Sequence, residues 1–126
     1  MLDLLITVTA PVQDPDRRVE TAHYRVYAQS QLSSKQWKCL DELWDRESSW
    51  RTHEKPWRAK NRSSGAFGIP QALPASKMYS AGMDAMTNPV TQVKWGLAYI
   101  KQRYSSGPKD AGACNALRHH DRKGWY

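Results

Sequence analysis

Long apolar runs are missing from this sequence, and no segment approaches the length that spans a bilayer. The first ten residues resemble a signal peptide only superficially, because Asp3 stands where positive charge belongs and the apolar stretch is short. We therefore expect neither a membrane span nor a leader, while release at lysis stays open as an export route. Internal repeats are also absent, so the 126 residues, 40% of them hydrophobic, predict one domain.

Acidic residues are outnumbered: 19 Lys and Arg stand against 12 Asp and Glu, for a formal net charge of +7. This charge predicts a polyanionic partner, either nucleic acid or anionic bacterial cell wall, or simply a basic surface. No RNA-binding aromatic motif and no zinc-finger spacing is present, which makes nucleic acid the second choice. The cysteines and the pair His119 and His120 form no recognisable ligand spacing, so no metal and no cofactor are expected.

Phenylalanine is nearly absent, with one Phe against six Trp and six Tyr. Indole and phenol rings have an apolar body and a polar edge, which suits a cleft where a polar ligand stacks on a flat surface. Simple core filling is the better account for about half of the Trp residues. The composition favours a ligand-binding cleft but does not require one.

Cysteine is scarce as well, since Cys39 and Cys114 are the only two. A disulfide between them would close a long loop and stabilise the fold by roughly 4 kcal/mol in the chain-entropy model. It would also indicate an oxidising final location. Two buried free thiols are the alternative, and the residues alone leave both open.

A helix is predicted over residues 34–48, with Ser33 or Ser34 as its cap. Four apolar residues recur at three- and four-residue spacing and form its stripe: Trp37, Leu40, Leu43 and Trp44. Glu47 follows Trp44 by three residues, so its carboxyl projects from the buried face of the helix.

Glycine and proline residues divide the rest of the chain into a loop and two further helices. Residues 51–75 are rich in Gly, Ser, Pro and Asn and predict a long turn-rich loop, which inside a compact domain is usually functional. A second helix begins at Pro89 behind the cap Asn88 and continues towards Gly107. A short helix is predicted over residues 113–120.

The N-terminal residues carry weaker signals. Ile6 and Val8 alternate with Thr, and residues 24–28 alternate again, which is typical of short strands or irregular wrapping. We therefore expect an N-terminal extension of uncertain structure over residues 1–32, ahead of a domain over residues 33–126.

A carboxyl group on an apolar helix face is disfavoured as an anion, so burial raises its pKa and the group can donate a proton. In glycoside cleavage such a glutamate protonates the glycosidic oxygen while an oxocarbenium-like transition state develops. Trp44 and Trp50 could supply an apolar wall and a surface for sugar stacking. On position alone, an equal alternative for Glu47 is a frayed helix end, where it binds a backbone group or an Arg.

Three blocks of sequence follow one another in order: Glu47-Ser48-Ser49-Trp50, then the run from Ser63 to Gln71, then Asn88-Pro89 with Gln92, the run from Trp95 to Ile100, and Arg103-Tyr104. Together they resemble the soluble lytic transglycosylase family, especially small actinobacterial and phage members. Those members read Glu-Ser-x-Trp, Ser-Gly-Ala-Tyr-Gly-Ile-Pro-Gln-Ala-Leu-Pro and Trp-Gly-Leu-x-Tyr-Ile. The resemblance covers about residues 37–126.

This resemblance implies a mainly helical, lysozyme-like domain, α+β with a minimal sheet, and Glu47 as the single catalytic carboxylate. Family enzymes cleave the bond between N-acetylmuramic acid and N-acetylglucosamine without water, through attack by the muramic 6-hydroxyl. The same Glu acts first as acid and then as base. The absence of Asp and Glu from residues 60–80 fits this mechanism. A hydrolytic lysozyme with a second carboxylate, and a cell-wall-binding module without turnover, are the alternatives.

The resemblance also assigns roles on the substrate side. Ser64 and Gln71 match sugar-contacting residues, with turn chemistry and loop bracing as their alternatives. Tyr99 corresponds to the tyrosine behind the cleft, with helix packing as its alternative. Phe67 and Met78 are candidates for lining the cleft, with core packing as the default.

Two departures from the family stand out. Residues 51–61 are longer than in the nearest relatives and add basic and aromatic side chains that would extend or cover the groove: His53, Lys55, Trp57 and Arg58. Leu117 stands where relatives carry an aromatic residue, so His119 is either a replacement contact or a solvent-facing residue.

Cys39 and Cys114 stand where relatives often have paired cysteines, which favours the disulfide. We expect a monomer that acts on peptidoglycan outside the cell, as a secreted, lysis-released or virion-associated enzyme such as an endolysin.

Overall fold

Four α-helices account for most of the regular structure in residues 23–126, the part of the chain that the computed structural model describes. They are α1 over residues 23–30, α2 over Ser34–Ser48, α3 over Pro89–Tyr104 and α4 over Ala113–Lys123. Short 3₁₀ helices span Pro56–Arg58 and Ala75–Ala81. None of the helices in this part of the chain is long and apolar enough to cross a membrane. The mainly helical class and the single small domain expected from the sequence are confirmed.

Both long helices begin at the expected caps. The Ser33 side chain accepts a hydrogen bond from the Gln36 amide at the start of α2. The Asn88 side chain accepts one from the Val90 amide at the start of α3, whose first residue is Pro89. Such caps satisfy amides that have no partner within the helix. The predicted starts of α2 and α3 are therefore confirmed, and α4 continues three residues beyond the predicted end before Gly124 stops it.

The strand or irregular structure expected over residues 24–28 is wrong, because these residues are helical. Tyr24 and Ala28 are four apart, so they share one face of α1, and both are buried in the core, whereas Val26 is exposed. The described part of the expected extension thus packs against the domain. Residues 1–22, with the alternation at Ile6 and Val8, lie outside the described residues.

The core brings α2 and α3 into close contact through a glycine. A Cβ atom on Gly96 would clash with the indole of Trp44, so only glycine lets the two helices approach this closely. On the other side of α2, a disulfide joins Cys39 to Cys114 of α4 with a Cα–Cα distance of 5.0 Å. The helix that carries Glu47 is therefore fixed on both sides.

A minimal sheet was expected, but the described residues contain two isolated β-bridges instead, Lys60 with Phe67 and Phe67 with Ala72. The chain turns sharply here, since Gly68 and Gln71 both have positive φ, and strands cannot extend. The buried side-chain amide of Gln92 holds the loop that contains Gly68 and Gln71. Its Oε1 accepts from the Ile69 amide at 2.9 Å, and its Nε2 donates to the carbonyls of Trp57 and Ala85 at 3.0 and 2.9 Å.

Candidate functional site

A cavity of about 410 Å³ opens between the loop of residues 61–77, helix α3 and residues 124–126, with Glu47 in its wall. The turn-rich loop therefore contributes to a concave site, as its composition suggested. Polar and aromatic side chains dominate the lining: Glu47, Asn61, Ser64, Gln71, Lys77, Trp95, Tyr99, Arg103, Trp125 and Tyr126. Such a mixture suits a polar ligand with flat apolar faces.

Glu47 lies in the last turn of α2, and its side chain is 16% exposed. Burial raises the pKa of its carboxyl from 4.5 to about 7. Among the described residues that line the cavity, it provides the only carboxyl side chain. The site can therefore present a carboxylic acid and a carboxylate in comparable amounts near neutral pH.

The imidazole of His120, on α4, lies against this carboxyl, with Nε2 3.1 Å from Glu47 Oε2. Its other nitrogen, Nδ1, faces Nη1 of Arg46 at 3.5 Å. A guanidinium can only donate, so this arrangement fits the tautomer whose proton is on Nε2 and whose Nδ1 faces the guanidinium. In that tautomer, Nε2–H donates to Oε2 of Glu47.

His120 makes this contact as a neutral ring. Burial, followed by the charge of Arg46 and the proximity of His119, lowers the pKa of His120, and only Asp121 opposes them. Arg46 is held in turn by Glu42 at 3.1 Å and by Asp121. The contact between His120 and Glu47 is thus a hydrogen bond to a neutral donor rather than an ion pair.

Three of the residues that the sequence resemblance singled out line the same cavity. The Ser64 hydroxyl accepts from the Ala66 amide at 3.1 Å, and Gln71 Nε2 donates to the carbonyls of Ala59 and Gly68 at 3.1 and 2.9 Å. Tyr99 donates its hydroxyl to the Tyr126 carbonyl at 3.2 Å. Each therefore has a local structural bond as well as a position facing the cavity.

Several other residues named from the sequence pack in the core, which was the default for Phe67 and Met78. Trp44 and Trp50 are fully buried in the core, so neither offers a face for sugar stacking. Phe67 packs with Met78 in a second apolar cluster and is not among the cavity-lining residues. Leu117 packs against the main core.

The imidazole that contacts Glu47 belongs to His120, whereas the sequence singled out His119, as a replacement substrate contact or a solvent-facing residue. His119 does not line the cavity; its Nδ1 donates to the Trp125 carbonyl at 2.8 Å, and its ring lies 4.5 Å from that indole. The two residues are neighbours on one helix and point in different directions. His119 thus supports a cavity wall that it does not form itself.

Apart from Asn61 at its end, the extra loop contributes to packing rather than to the groove. Trp57 packs edge-on against Tyr24 of α1, with ring centroids 5.9 Å apart. The basic members His53, Lys55 and Arg58 are exposed and lie outside the set of lining residues. The predicted extension or covering of the groove is therefore not seen.

Several lining residues were missed by sequence reasoning, and the C-terminal Tyr126 is the most deeply connected of them. Its hydroxyl accepts from Trp44 Nε1 and donates to the Pro70 carbonyl, both at 2.8 Å. Burial, with Glu47 as the second cause, raises the pKa of Tyr126 well above its usual range. Two of the missed residues on α3 could have been predicted from their spacing. Trp95 and Arg103 lie four residues before and after Tyr99, so all three share one face of the helix.

Comparison of the chain with protein-family models, with curated proteins and with solved structures found no match in any of the three.

Proposed function

We propose that this protein is a peptidoglycan lytic transglycosylase that cleaves the β-1,4 bond between N-acetylmuramic acid and N-acetylglucosamine. The observation that carries the proposal is Glu47, a largely buried carboxyl with a pKa of about 7 in the wall of a polar, aromatic cavity. A lysozyme-like fold is part of the same proposal. Its support is the sequence resemblance together with the position of Glu47 at the cavity end of α2.

In the proposed reaction, protonated Glu47 donates its proton to the glycosidic oxygen, and the bond from that oxygen to the muramic C1 breaks. The resulting carboxylate then removes the proton of the muramic 6-hydroxyl, whose oxygen forms a new bond to C1. The products are a free 4-hydroxyl on N-acetylglucosamine and a 1,6-anhydromuramic end. Glu47 is protonated again at the end of the cycle, so one carboxyl supplies both acid and base.

The remaining lining residues would bind the glycan. The stacked rings of Trp95 and Tyr99 offer an apolar platform for a sugar face. Ser64 and the Gln71 amide lie on the loop side of the cavity and provide hydroxyl and amide partners for N-acetyl groups. In the described part of the chain, Gln71 Oε1 has no hydrogen-bond donor, which leaves it available to a ligand.

A hydrolytic lysozyme is the main alternative and needs a second carboxyl group at the sugar. The described residues that line the cavity provide no second side-chain carboxyl, which supports internal attack. The disulfide supports a wall-directed location outside the reducing cytoplasm. The proposed enzyme acts there as a monomer on peptidoglycan.

The test compares purified wild type, Glu47→Gln and Glu54→Gln on peptidoglycan suspensions, with mass spectrometry of the soluble products. Glu54 is exposed and outside the cavity, so E54Q controls for loss of one negative charge. We expect E47Q to lose activity by at least 100-fold and E54Q to retain it. Products one water lighter than reducing-end fragments support transglycosylation. Reducing ends would indicate the hydrolase, and binding by wild type without any product would indicate a wall-binding module.

A further inference from the structure

Helix α3 presents three cavity-lining side chains one turn apart: Trp95, Tyr99 and Arg103. The rings of Trp95 and Tyr99 are stacked, with centroids 5.1 Å apart and an angle of 19° between their planes. The guanidinium carbon of Arg103 lies 5.8 Å from the Tyr99 centroid. The helix therefore carries a continuous row that begins with flat apolar rings and ends in a positive charge.

Aromatic rings surround this charge. The Arg103 guanidinium also lies 5.9 Å from the Tyr104 centroid and 5.7 Å from that of Trp125. Cation–π contacts of this kind restrain a guanidinium, and a preordered side chain loses less conformational entropy on binding. A guanidinium has five N–H donors, more than the neighbouring Tyr104 hydroxyl can accept, so donors remain for a ligand.

The described part of the chain provides no carboxylate partner for Arg103. The arginines Arg25, Arg46 and Arg51, in contrast, are all ion-paired with acids of α2 or α4. Lys77, the other cation that lines the cavity, is likewise outside the ion pairs of the described residues. Within residues 23–126, neither of these two cations of the cavity wall lies within ion-pair distance of a carboxylate.

We propose that Arg103, flanked by Tyr99 and Trp125, is a subsite for a carboxylate of the saccharide substrate, with Lys77 adding to the positive potential. A guanidinium can hold a carboxylate through two parallel hydrogen bonds. The inference rests on the proposed function, because bacterial wall glycan carries carboxylates on its lactyl groups and stem peptides. Neutral N-acetylglucosamine polymers carry none. The subsite therefore discriminates acidic wall glycan from uncharged glycan.

The test measures binding by calorimetry in the Glu47→Gln background, where the ligand stays intact. Three probes are used: a peptide-free oligomer of alternating N-acetylglucosamine and N-acetylmuramic acid, the same oligomer with its lactyl carboxyls coupled to methylamine, and the oligomer with stem peptides attached. Arg103→Gln and Arg103→Lys are compared with Arg122→Gln. Arg122 is an exposed cation of α4 that does not line the cavity.

We expect Arg103→Gln to weaken binding of a free-carboxylate probe by about tenfold and to leave the methylamide probe unchanged. Arg103→Lys should weaken it less, and Arg122→Gln not at all. A loss already seen with the peptide-free oligomer identifies the lactyl carboxylate, and a loss confined to the peptide-bearing probe identifies the stem peptide. Equal weakening of all probes, or no weakening of any, overturns the subsite alone. If the parent protein binds none of them, the proposed function fails together with it.

Discussion

Nε2 of His120 lies 3.1 Å from Oε2 of Glu47, while the opposite ring nitrogen faces the Arg46 guanidinium. With its proton on Nε2, the ring donates to Oε2. This hydrogen bond stabilises the carboxylate that remains after the Glu47 proton has left.

The acidity of Glu47 should therefore depend on His120. Replacement by Leu removes a hydrogen-bond donor from the carboxylate, so the pKa of Glu47 should rise above its value of about 7. A hydrogen bond to a charged group corresponds to about one pKa unit or more. Carbon-13 NMR titration of labelled Glu side chains measures this shift in the folded protein, and the alkaline limb of the pH–rate profile should move with it.

His120→Gln is the matched variant, since its amide can donate from a similar position. It should restore the pKa of Glu47 and the alkaline limb most of the way to the wild-type values. If His120→Leu leaves the Glu47 titration where it is, the hydrogen bond assigned to Nε2–H is not formed.

The raised pKa of Glu47 should also make the folding stability depend on pH. The pKa of Glu47 is about 7 in the folded state, against an ordinary value of 4.5, so the unfolded chain releases the proton first. Stability is therefore lost as the pH rises from about 4.5 to about 7. Gln cannot ionise, so the stability of Glu47→Gln relative to wild type should be greater at pH 8 than at pH 4, by on the order of 3 kcal/mol.

Urea unfolding of the two proteins at both pH values provides the measurement. Glu54→Gln should follow the wild type throughout, since Glu54 is exposed. An equal stability difference between wild type and Glu47→Gln at pH 4 and pH 8 would contradict the raised pKa.

The disulfide should be a large contributor to stability. It joins residues separated by 75 positions, and the chain-entropy model assigns a loop of that length about 4 kcal/mol. The double variant Cys39→Ser, Cys114→Ser should lose about that much in urea unfolding. A reducing agent should destabilise the wild type to a similar degree and leave the double variant unaffected.

The contact between α2 and α3 should tolerate no side chain at Gly96. Alanine there would place its Cβ against the Trp44 indole, and overpacking of this kind costs roughly 1–3 kcal/mol. Gly107→Ala is the matched control, because nothing lies within 4 Å of the position its Cβ would take. Thermal unfolding of both variants distinguishes steric overlap from a general effect of replacing glycine. Equal stability of the two would contradict the close approach.

Local signals predicted α2, α3 and α4 well. Each helix carries its own cap, breaker or apolar stripe, and Glu47 was placed correctly because three- and four-residue spacing fixes a helix face. The strand prediction for residues 24–28 was wrong because five residues are too few to separate the two patterns. Apolar residues at 24, 26 and 28 fit a strand, but Tyr24 and Ala28 alone also fit one face of a helix.

The rest of the site depends on contacts between distant segments. Nothing local shows that Trp44 packs behind the cavity instead of facing it, or that His120 rather than His119 turns towards Glu47. Those outcomes follow from how α4 docks on α2, which the disulfide and the Arg46 ion pairs determine. The discriminating information is therefore tertiary.

The Tyr126 hydroxyl joins Trp44, 82 positions away, to Pro70, 56 positions away. Contacts across such separations form late in folding, because the intervening chain must first lose its freedom. In a refolding experiment, α2 would form its helical hydrogen bonds before this wall of the cavity is complete. Until then Glu47 would be exposed to water, and its pKa would be that of an ordinary glutamate. The proposed activity should then recover later than the helical circular dichroism signal, since the raised pKa of Glu47 depends on burial by the completed cavity wall and not on helix α2 alone.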